Sequence, residues 1–98
     1  MQRLNVTSEQ IAQFCRKHHI KRLIFFGSAV RDEMRPDSDV DVLYEFEAGH
    51  HPAWDVIYVA DELSAMLGRK VDFVPYKGLR NPYLRSSIMR DHEVVYAA

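Results

Sequence analysis

The feature that most constrains the fold of this chain is the stretch 27–42, which joins two apolar runs. It opens with Gly27 and Ser28, directly after the first apolar run, and it closes on two aspartates, Asp39 and Asp41. A glycine and a serine after an apolar run are typical of a strand that turns into a helix, and an apolar run that follows alternating aspartates is typical of a second strand. The pattern therefore predicts strand, small-residue turn, short helix, loop and strand, in that order.

The two aspartates are placed to share a cation. Side chains on a strand alternate between faces, so Asp39 and Asp41 project from the same side, about 7 Å apart at a rise of roughly 3.3 Å per residue. Two like charges on one strand face are costly without a positive partner between them. Mg²⁺ is the natural candidate, because proteins usually hold it with one or two carboxylates together with substrate phosphates.

Gly27 and Ser28 supply the complementary half of such a site. Glycine lets the backbone approach a phosphate closely, and a serine at the start of a helix offers a hydroxyl beside free N–H groups. Either half alone is more often structural, since glycine-serine after a strand is commonly a turn with an N-cap and Ser-Asp-x-Asp is commonly a solvated loop. Their joint occurrence in this order favours a nucleoside triphosphate site.

A third carboxylate stands in the apolar stretch 70–75. Asp72 is flanked by Val71 and Phe73, whose side chains point to the opposite face of a strand. Aspartate has a poor strand propensity, so its presence there calls for a reason. Metal ligation is the best reason available, because a paired strand would bring Asp72 beside Asp39 and Asp41.

The rest of the chain predicts further helices and strands. Thr7 and Gln10 form a capping-box pattern, so a helix is expected to about His18, with Cys15 on its buried side. The strand 22–26 is apolar on both faces, which predicts a central position in the sheet. The other predicted elements are a short helix after Ser28, strand 39–47, a helix with Pro52 in its first turn that ends at Gly68, strand 70–75, a helix near Pro82 capped by Asn81 or Arg80, and strand 93–96.

Conspicuous histidines and aromatic residues fit ordinary structural roles. His18 and His19 lack the further Cys or His spacing of a zinc site, and we expect them at the surface. Trp54 and Tyr58 lie at the edge of a helical apolar stripe, where partial burial is expected.

Length and composition exclude several classes of protein. The 98 residues suit one small domain, so residues 1–98 are expected to form a single domain. A formal net charge of −1 argues against general nucleic-acid binding, which requires a clear basic excess. No apolar run approaches the roughly 18 residues of a membrane span, and residues 1–6 lack an apolar signal segment. The single cysteine, Cys15, cannot form an internal disulfide, so a reduced, cytoplasmic protein is expected.

The motif residues resemble a known family. The set Gly27-Ser28, Arg31, Glu33, Arg35 and Ser38-Asp39-Val40-Asp41 is similar to the signature of minimal nucleotidyltransferase domains, a small branch of the polymerase-beta-type nucleotidyltransferase superfamily. The strand that contains Asp72 resembles the one that carries the family's third carboxylate. The residues similar to the family's C-terminal part are Leu79, Asn81-Pro82, Arg85, Ile88 and 94–96. The resemblance covers the chain from about Ser8 onward and implies an α/β (mixed α+β) fold: one polymerase-beta-like domain with a small mixed sheet flanked by helices.

The resemblance implies roles for the three carboxylates. Asp39, Asp41 and Asp72 become the catalytic residues and metal ligands. Asp39 and Asp41 bridge two Mg²⁺ ions, and Asp72 is both a ligand and the general base.

Nucleotide binding follows from the same resemblance, with ATP as the expected substrate. Gly27 and Ser28 contact the phosphates, and Ser38 belongs to the nucleotide site. Arg31 and Arg35, four residues apart on one helix face, either reach the triphosphate or pair with the protein's own carboxylates. The chain departs from the family at Asp32, where glycine is common, and a negative side chain near the phosphates would weaken triphosphate binding.

The expected partner is another protein. Larger members of the superfamily add a domain that grips the acceptor, and this chain has no residues left for one. Stand-alone domains of this type resemble antitoxins of HEPN-type ribonuclease toxins, which implies transfer of AMP to a toxin tyrosine, within a complex of the two chains. Two alternatives stay open: a module that neutralises the toxin by binding alone, and transfer to a small molecule, for which the length leaves little room.

Overall fold

The described part of the chain begins with a helix and continues as four strands interrupted by two further helices. In a computed structural model, the described residues are 6–27, 30, 39–49, 56–76 and 81–98, without the side chains of Leu84 and Ser87. The elements are α1 (Ser8–Lys17), β1 (Ile20–Phe26), β2 (Val40–Phe46), α2 (Val56–Leu67), β3 (Val71–Pro75), α3 (Pro82–Arg90) and β4 (His92–Ala97). The predicted mixed α/β architecture is confirmed.

Helix α1 starts with the capping box that the sequence predicts. The Gln10 backbone N–H donates to Thr7 Oγ1 at 3.1 Å, and the Thr7 N–H donates to Gln10 Oε1 at 2.8 Å. These two bonds satisfy backbone donors that a helix N-terminus otherwise leaves unpaired. The buried side of α1 consists of Ile11, Phe14 and Cys15, as expected from their spacing.

The four described strands form one sheet in the order β3-β2-β1-β4. β1 pairs antiparallel with β2 and with β4, whereas β2 and β3 pair in parallel. The central position of β1 agrees with its apolar side chains on both faces. A parallel neighbour requires a long crossover, and the segment between β2 and β3 contains α2.

The sheet is covered on both faces. On one face, Phe25 and Val42 share a buried cluster with Phe14 of α1 and with Val59 and Leu63 of α2. On the other face, the buried residues Ile24, Phe26 and Leu43 pack with Ile88 of α3. Asp41 of β2 lies on this second face, because it alternates with Val40 and Val42 of the first.

Strand limits differ slightly from the predicted ones. β1 begins at Ile20, two residues earlier than predicted, and β4 begins at His92 rather than at residue 93. Asn81 caps α3, since its Oδ1 accepts from the Tyr83 N–H at 3.0 Å. The positive φ of Gly68, 68°, agrees with its predicted place after α2. Pro52 lies outside the described residues.

Two side-chain expectations were wrong. The His18 side chain is only 20% exposed, because its ring packs against Phe14 and its Nε2 lies 3.0 Å from Glu62 Oε2. Tyr58, expected to be partly buried, is 73% exposed on α2. His19 is exposed as predicted, and Trp54 lies outside the described residues.

The contact of His18 belongs to an ion-pair cluster that joins α1 to α2. Lys17 Nζ also lies 3.0 Å from Glu62 Oε1. Partial desolvation raises the pKa of Glu62, but hydrogen bonds and charge from Lys17 and His18 outweigh it, so this pKa lies below its ordinary value of 4.5. None of the helices that the structure describes has the length and apolar character needed to cross a membrane.

Candidate active site

The predicted catalytic carboxylates lie at one end of the sheet. Asp39 directly precedes β2 and is exposed, and Asp41 is the second residue of β2 and is half-buried. Val40 lies between the two aspartates and Val42 follows Asp41. Both valines are 0% exposed and belong to the opposite face of the sheet. Burial of these valines fixes the rotation of β2 and so directs both aspartates to the face that α3 covers.

The parallel pairing of β2 with β3 brings the third carboxylate alongside. Asp41 and Asp72 are partners in the register of the two strands, as are Val40 and Val71. Adjacent strands lie about 4.8 Å apart, and register partners point to the same face of a sheet. Asp72 is exposed at this position. The predicted neighbourhood of Asp41 and Asp72 is therefore present.

The position of β3 depends on several contacts. The rings of Tyr44 and Phe73 stack with centroids 4.0 Å apart and planes inclined by 7°. The Tyr76 N–H donates to the Tyr44 carbonyl at 2.7 Å, and the Val71 N–H donates to Ser64 Oγ of α2 at 3.1 Å. Both ends of β3 are thereby tied, which holds Asp72 in register. Burial also raises the pKa of the Tyr44 phenol.

Gly27 lies beside the carboxylate of Asp41 in the candidate site. It follows Phe26, whose register partner on β2 is Asp41. Its φ is +75°, and a methyl group built on it would overlap Oδ2 of Asp41 and lie 3.2 Å from the carboxyl carbon. The Gly27 carbonyl accepts from the Val30 N–H at 3.1 Å, which closes the turn after β1. Glycine is required here for two reasons: backbone conformation and space for the carboxylate.

The carboxylates suit a hard cation as part of a larger ligand set. Within the described ranges 6–27, 39–49, 56–76 and 81–98, no three acidic, histidine or cysteine side chains converge closely enough to hold a metal ion by themselves. Mg²⁺ normally takes only one or two carboxylates and completes its shell with phosphate oxygens and water. The oxygen donors of Asp41 and Asp72, which are register partners beside the Gly27 turn, fit this pattern of one or two carboxylates.

Part of the predicted nucleotide site belongs to segments that the structure does not describe. Ser28, Arg31, Arg35 and Ser38 lie outside the described residues, as does Asp32. Their predicted contacts with phosphate or nucleotide stay predictions.

A histidine that sequence reasoning did not identify also lies at this end of the sheet. His92 of β4 is the register partner of Phe26, which is itself the partner of Asp41. His92 Nδ1 lies 2.8 Å from the Ile88 carbonyl, an arrangement in which Nδ1 must carry the proton. No local sequence signal could have located this residue, because only the pairing of β1 with β4 brings it here.

Comparisons with known proteins agree on the family. A family model described as a nucleotidyltransferase domain matches residues 8–95. The chain is similar to the protein adenylyltransferase MntA of Thermococcus cleftensis, with 37% identity over 78 residues that span 79% of this chain and 74% of that protein.

Solved structures agree on the fold. One, provisionally described as a minimal nucleotidyltransferase, is 36% identical to this chain and has a TM-score of 0.70. The match covers 88% of this chain and 86% of the chain in that structure. A chain in the complex of tri-AMPylated Shewanella oneidensis HEPN toxin with MNT antitoxin has a TM-score of 0.68 over 100% of this chain and 74% of its own. At 19% identity, the second likeness concerns the fold alone.

Proposed function

Because the chain belongs to the nucleotidyltransferase domain family, we propose that it transfers AMP from ATP to a hydroxyl of a partner protein. The acceptor we propose is a tyrosine of a HEPN-type toxin, for which this chain is the antitoxin. The observation that carries the proposal is the register pairing of Asp41 with Asp72 beside Gly27. Two neighbouring carboxylates beside a glycine turn are an arrangement that suits magnesium-assisted nucleotidyl transfer.

In the proposed reaction, some residues of the chain act on the acceptor hydroxyl and others bind the phosphates of ATP. The acceptor oxygen attacks the α-phosphorus of ATP, a new O–P bond forms, the bond from the α-phosphorus to the bridging oxygen breaks, and pyrophosphate leaves. Asp72 takes the proton of the attacking hydroxyl, a role favoured by its exposure at the edge of the site. Gly27 leaves the backbone open to the phosphates, and Ser28 binds them.

Asp39, Asp41 and Asp72 would hold Mg²⁺, which we propose as two ions. Bound magnesium neutralises charge on the phosphates and makes the acceptor oxygen more acidic. Asp41 is the central ligand of the three, because it lies between the chain neighbour Asp39 and the strand neighbour Asp72.

The choice of a protein acceptor rests on the relatives. The Thermococcus cleftensis protein is a protein adenylyltransferase, and the structurally similar Shewanella oneidensis complex contains an AMPylated HEPN toxin. We propose the same class of acceptor here. The cytoplasm suits such an activity, because ATP is available there and the single cysteine, Cys15, is a buried free thiol.

Mass spectrometry tests the proposal directly. The purified chain is incubated with Mg-ATP and the HEPN-type toxin encoded beside it, and the toxin is analysed for AMP on tyrosine. We expect an adduct with the wild type and none with Asp41→Asn or Asp72→Asn. Asp61→Asn is the matched control, because Asp61 is an exposed aspartate of α2. An adduct that persists in both site variants would refute the site.

A binding module without chemistry is the second candidate, favoured by Asp32 in the place of the usual glycine. Calorimetry separates the two candidates. Tight binding of the toxin without detectable binding of Mg-ATP would support the module, whereas binding of both ligands supports the enzyme.

A further inference from the structure

The outward side of α3 carries an unusual combination of exposed apolar and cationic side chains. Tyr83 is 86% exposed and Met89 is 78% exposed. Arg85 and Arg90 are exposed on the same helix. An open hollow of about 560 Å³ is lined by Pro82, Arg85, Ser86, Met89 and Arg90. We call these five residues and Tyr83 the α3 face.

The arginines of the α3 face have no acidic residue in their own helix, and the first acidic residue after the helix is Asp91. The ion pairs found among the described residues join α1 to itself and to α2, His19 to Glu47, and Arg22 to Glu45, and none includes Arg85 or Arg90. In a chain with a formal net charge of −1, this helix side is a local cationic surface.

The α3 face borders the candidate active site. Its helix packs through Ile88 onto Phe26 and Leu43. Leu43 lies two residues after Asp41 on the same strand, so α3 covers the sheet face to which Asp41 and Asp72 belong. A protein bound to the outward side of α3 therefore lies on the same side of the sheet as the carboxylates, and it must extend past the helix to reach them.

The composition of the α3 face favours a protein as its occupant. Tyrosine, methionine and arginine are enriched at the cores of protein interfaces, where lysine, glutamate and aspartate are depleted. Tyrosine and arginine are also the residues on which binding energy most often concentrates. A nucleic acid is disfavoured, since two arginines give little phosphate neutralisation.

We propose that the α3 face is the docking surface for the acceptor protein, which presents carboxylates to Arg85 and Arg90 and apolar side chains to Tyr83 and Met89. This inference rests on the proposed function, because the occupant is the toxin whose tyrosine is modified. Docking at α3 delivers the acceptor hydroxyl to the side of the sheet that carries Asp72. The α3 face then sets which protein is modified, while the carboxylates perform the transfer.

The test measures binding of the toxin to the chain by calorimetry in the absence of nucleotide. We expect Met89→Glu to weaken binding at least about tenfold, as truncation or charge at a hot spot does. The double variant Arg85→Glu/Arg90→Glu should weaken it by a similar factor, and its deficit should shrink as salt is raised. Both positions are exposed, so the fold should be retained, which circular dichroism checks.

Ile57→Glu is the matched control. Ile57 is 69% exposed on α2, and the buried side of α2 packs on the opposite face of the sheet. Its toxin affinity should stay within about twofold of the wild type, in the range expected for a residue outside the interface. Wild-type affinity in both α3 variants would overturn the proposal, as would an equal loss in Ile57→Glu.

A second readout separates failure of docking from failure of the chemistry. If the α3 variants lose toxin binding but the wild type forms no AMP adduct, the docking surface stands and the enzymatic proposal falls. If the adduct forms equally fast at low toxin concentration with wild type and variants, the docking surface falls and the enzyme stands. Loss of binding to a single-stranded RNA probe, with toxin binding unchanged, would assign the α3 face to nucleic acid and refute the proposal.

Discussion

Substitution of Gly27 by alanine tests whether the approach of this glycine to Asp41 organises the candidate site. The added methyl group would overlap Asp41 Oδ2 and lie 3.2 Å from its carboxyl carbon, so the carboxylate must move. Restoring ordinary contact requires a shift of about 1 Å, and a misplacement of that size costs about 100-fold in rate when the group positions reactants. We expect Gly27→Ala to lower the rate of AMP transfer by about that factor.

A second effect of the same substitution is on stability, and a matched variant isolates it. Alanine at the φ of +75° of Gly27 is strained by about 1 kcal/mol, and Gly49 has a comparable φ of +87° with nothing within 4 Å of a built Cβ. Gly49→Ala therefore shares the backbone strain without touching Asp41. Gly49→Ala should unfold about 4–8 °C below the wild type, the shift expected for about 1 kcal/mol in a domain of this size, and Gly27→Ala should unfold at least that far below it because it adds the overlap with Asp41.

The assay compares initial rates of toxin adenylylation at saturating Mg-ATP, with thermal unfolding followed by circular dichroism. Gly49→Ala should keep a rate near that of the wild type, and Gly27→Ala should be slow at temperatures where both are folded. If the two variants transfer AMP at the same rate, the contact between Gly27 and Asp41 has no part in catalysis, and the geometric reasoning is refuted.

Three further predictions concern the rest of the chain. Burial raises the pKa of the Cys15 thiol to about 12, so a thiol reagent at pH 8 should label Cys15 only after unfolding, and rapid labelling of the folded chain would contradict its burial. Because the folded-state pKa of Glu62 is lowered, its contribution to stability is present above about pH 4.5 and is lost as the pH falls through the folded value. The difference in unfolding free energy between wild type and Glu62→Gln should therefore be largest above pH 4.5 and shrink in acid, and a difference that grows in acid would contradict this sign. Leu63→Ala, at a site 0% exposed, should cost about 2–5 kcal/mol of unfolding free energy in urea titrations, and a cost below that range would mean that the core collapses around the missing side chain.

Local patterns allowed much of the fold to be predicted. The capping box of Thr7 with Gln10, the end of α2 at Gly68 and the cap of Asn81 are each encoded within a few residues, and each is present. The central place of β1 followed from its apolar residues on both faces. These features depend on short-range geometry, which a sequence displays directly.

Features that depend on distant partners were harder to predict. His18 was expected at the surface, but its partner Glu62 lies 44 residues further along the chain. The exposure of Tyr58 was not predicted, because an aromatic residue at the edge of the apolar stripe of α2 can be either partly buried or exposed to solvent. The strand start at His92 is set by pairing with Phe26, which no local pattern encodes.

The candidate site also combines features that a local pattern predicts with features that depend on distant partners. Alternation in β2 was enough to predict that Asp39 and Asp41 share a face. The proximity of Asp72 was an inference from residue type, and the parallel register with Asp41 agrees with it. The roles of Ser28, Arg31, Arg35 and Ser38 stay predictions, since these residues lie outside the described parts of the chain.

The border position of β3 has a consequence for heat inactivation. Among the strands that the structure describes, β3 hydrogen-bonds to a neighbour on one side only, whereas β2 and β1 are each held on both sides. Border strands separate from a sheet at lower free energy than the interior does, so β3 can detach while the remaining strands keep their ellipticity. Any activity that requires Asp41 and Asp72 together therefore disappears on warming before the chain as a whole melts.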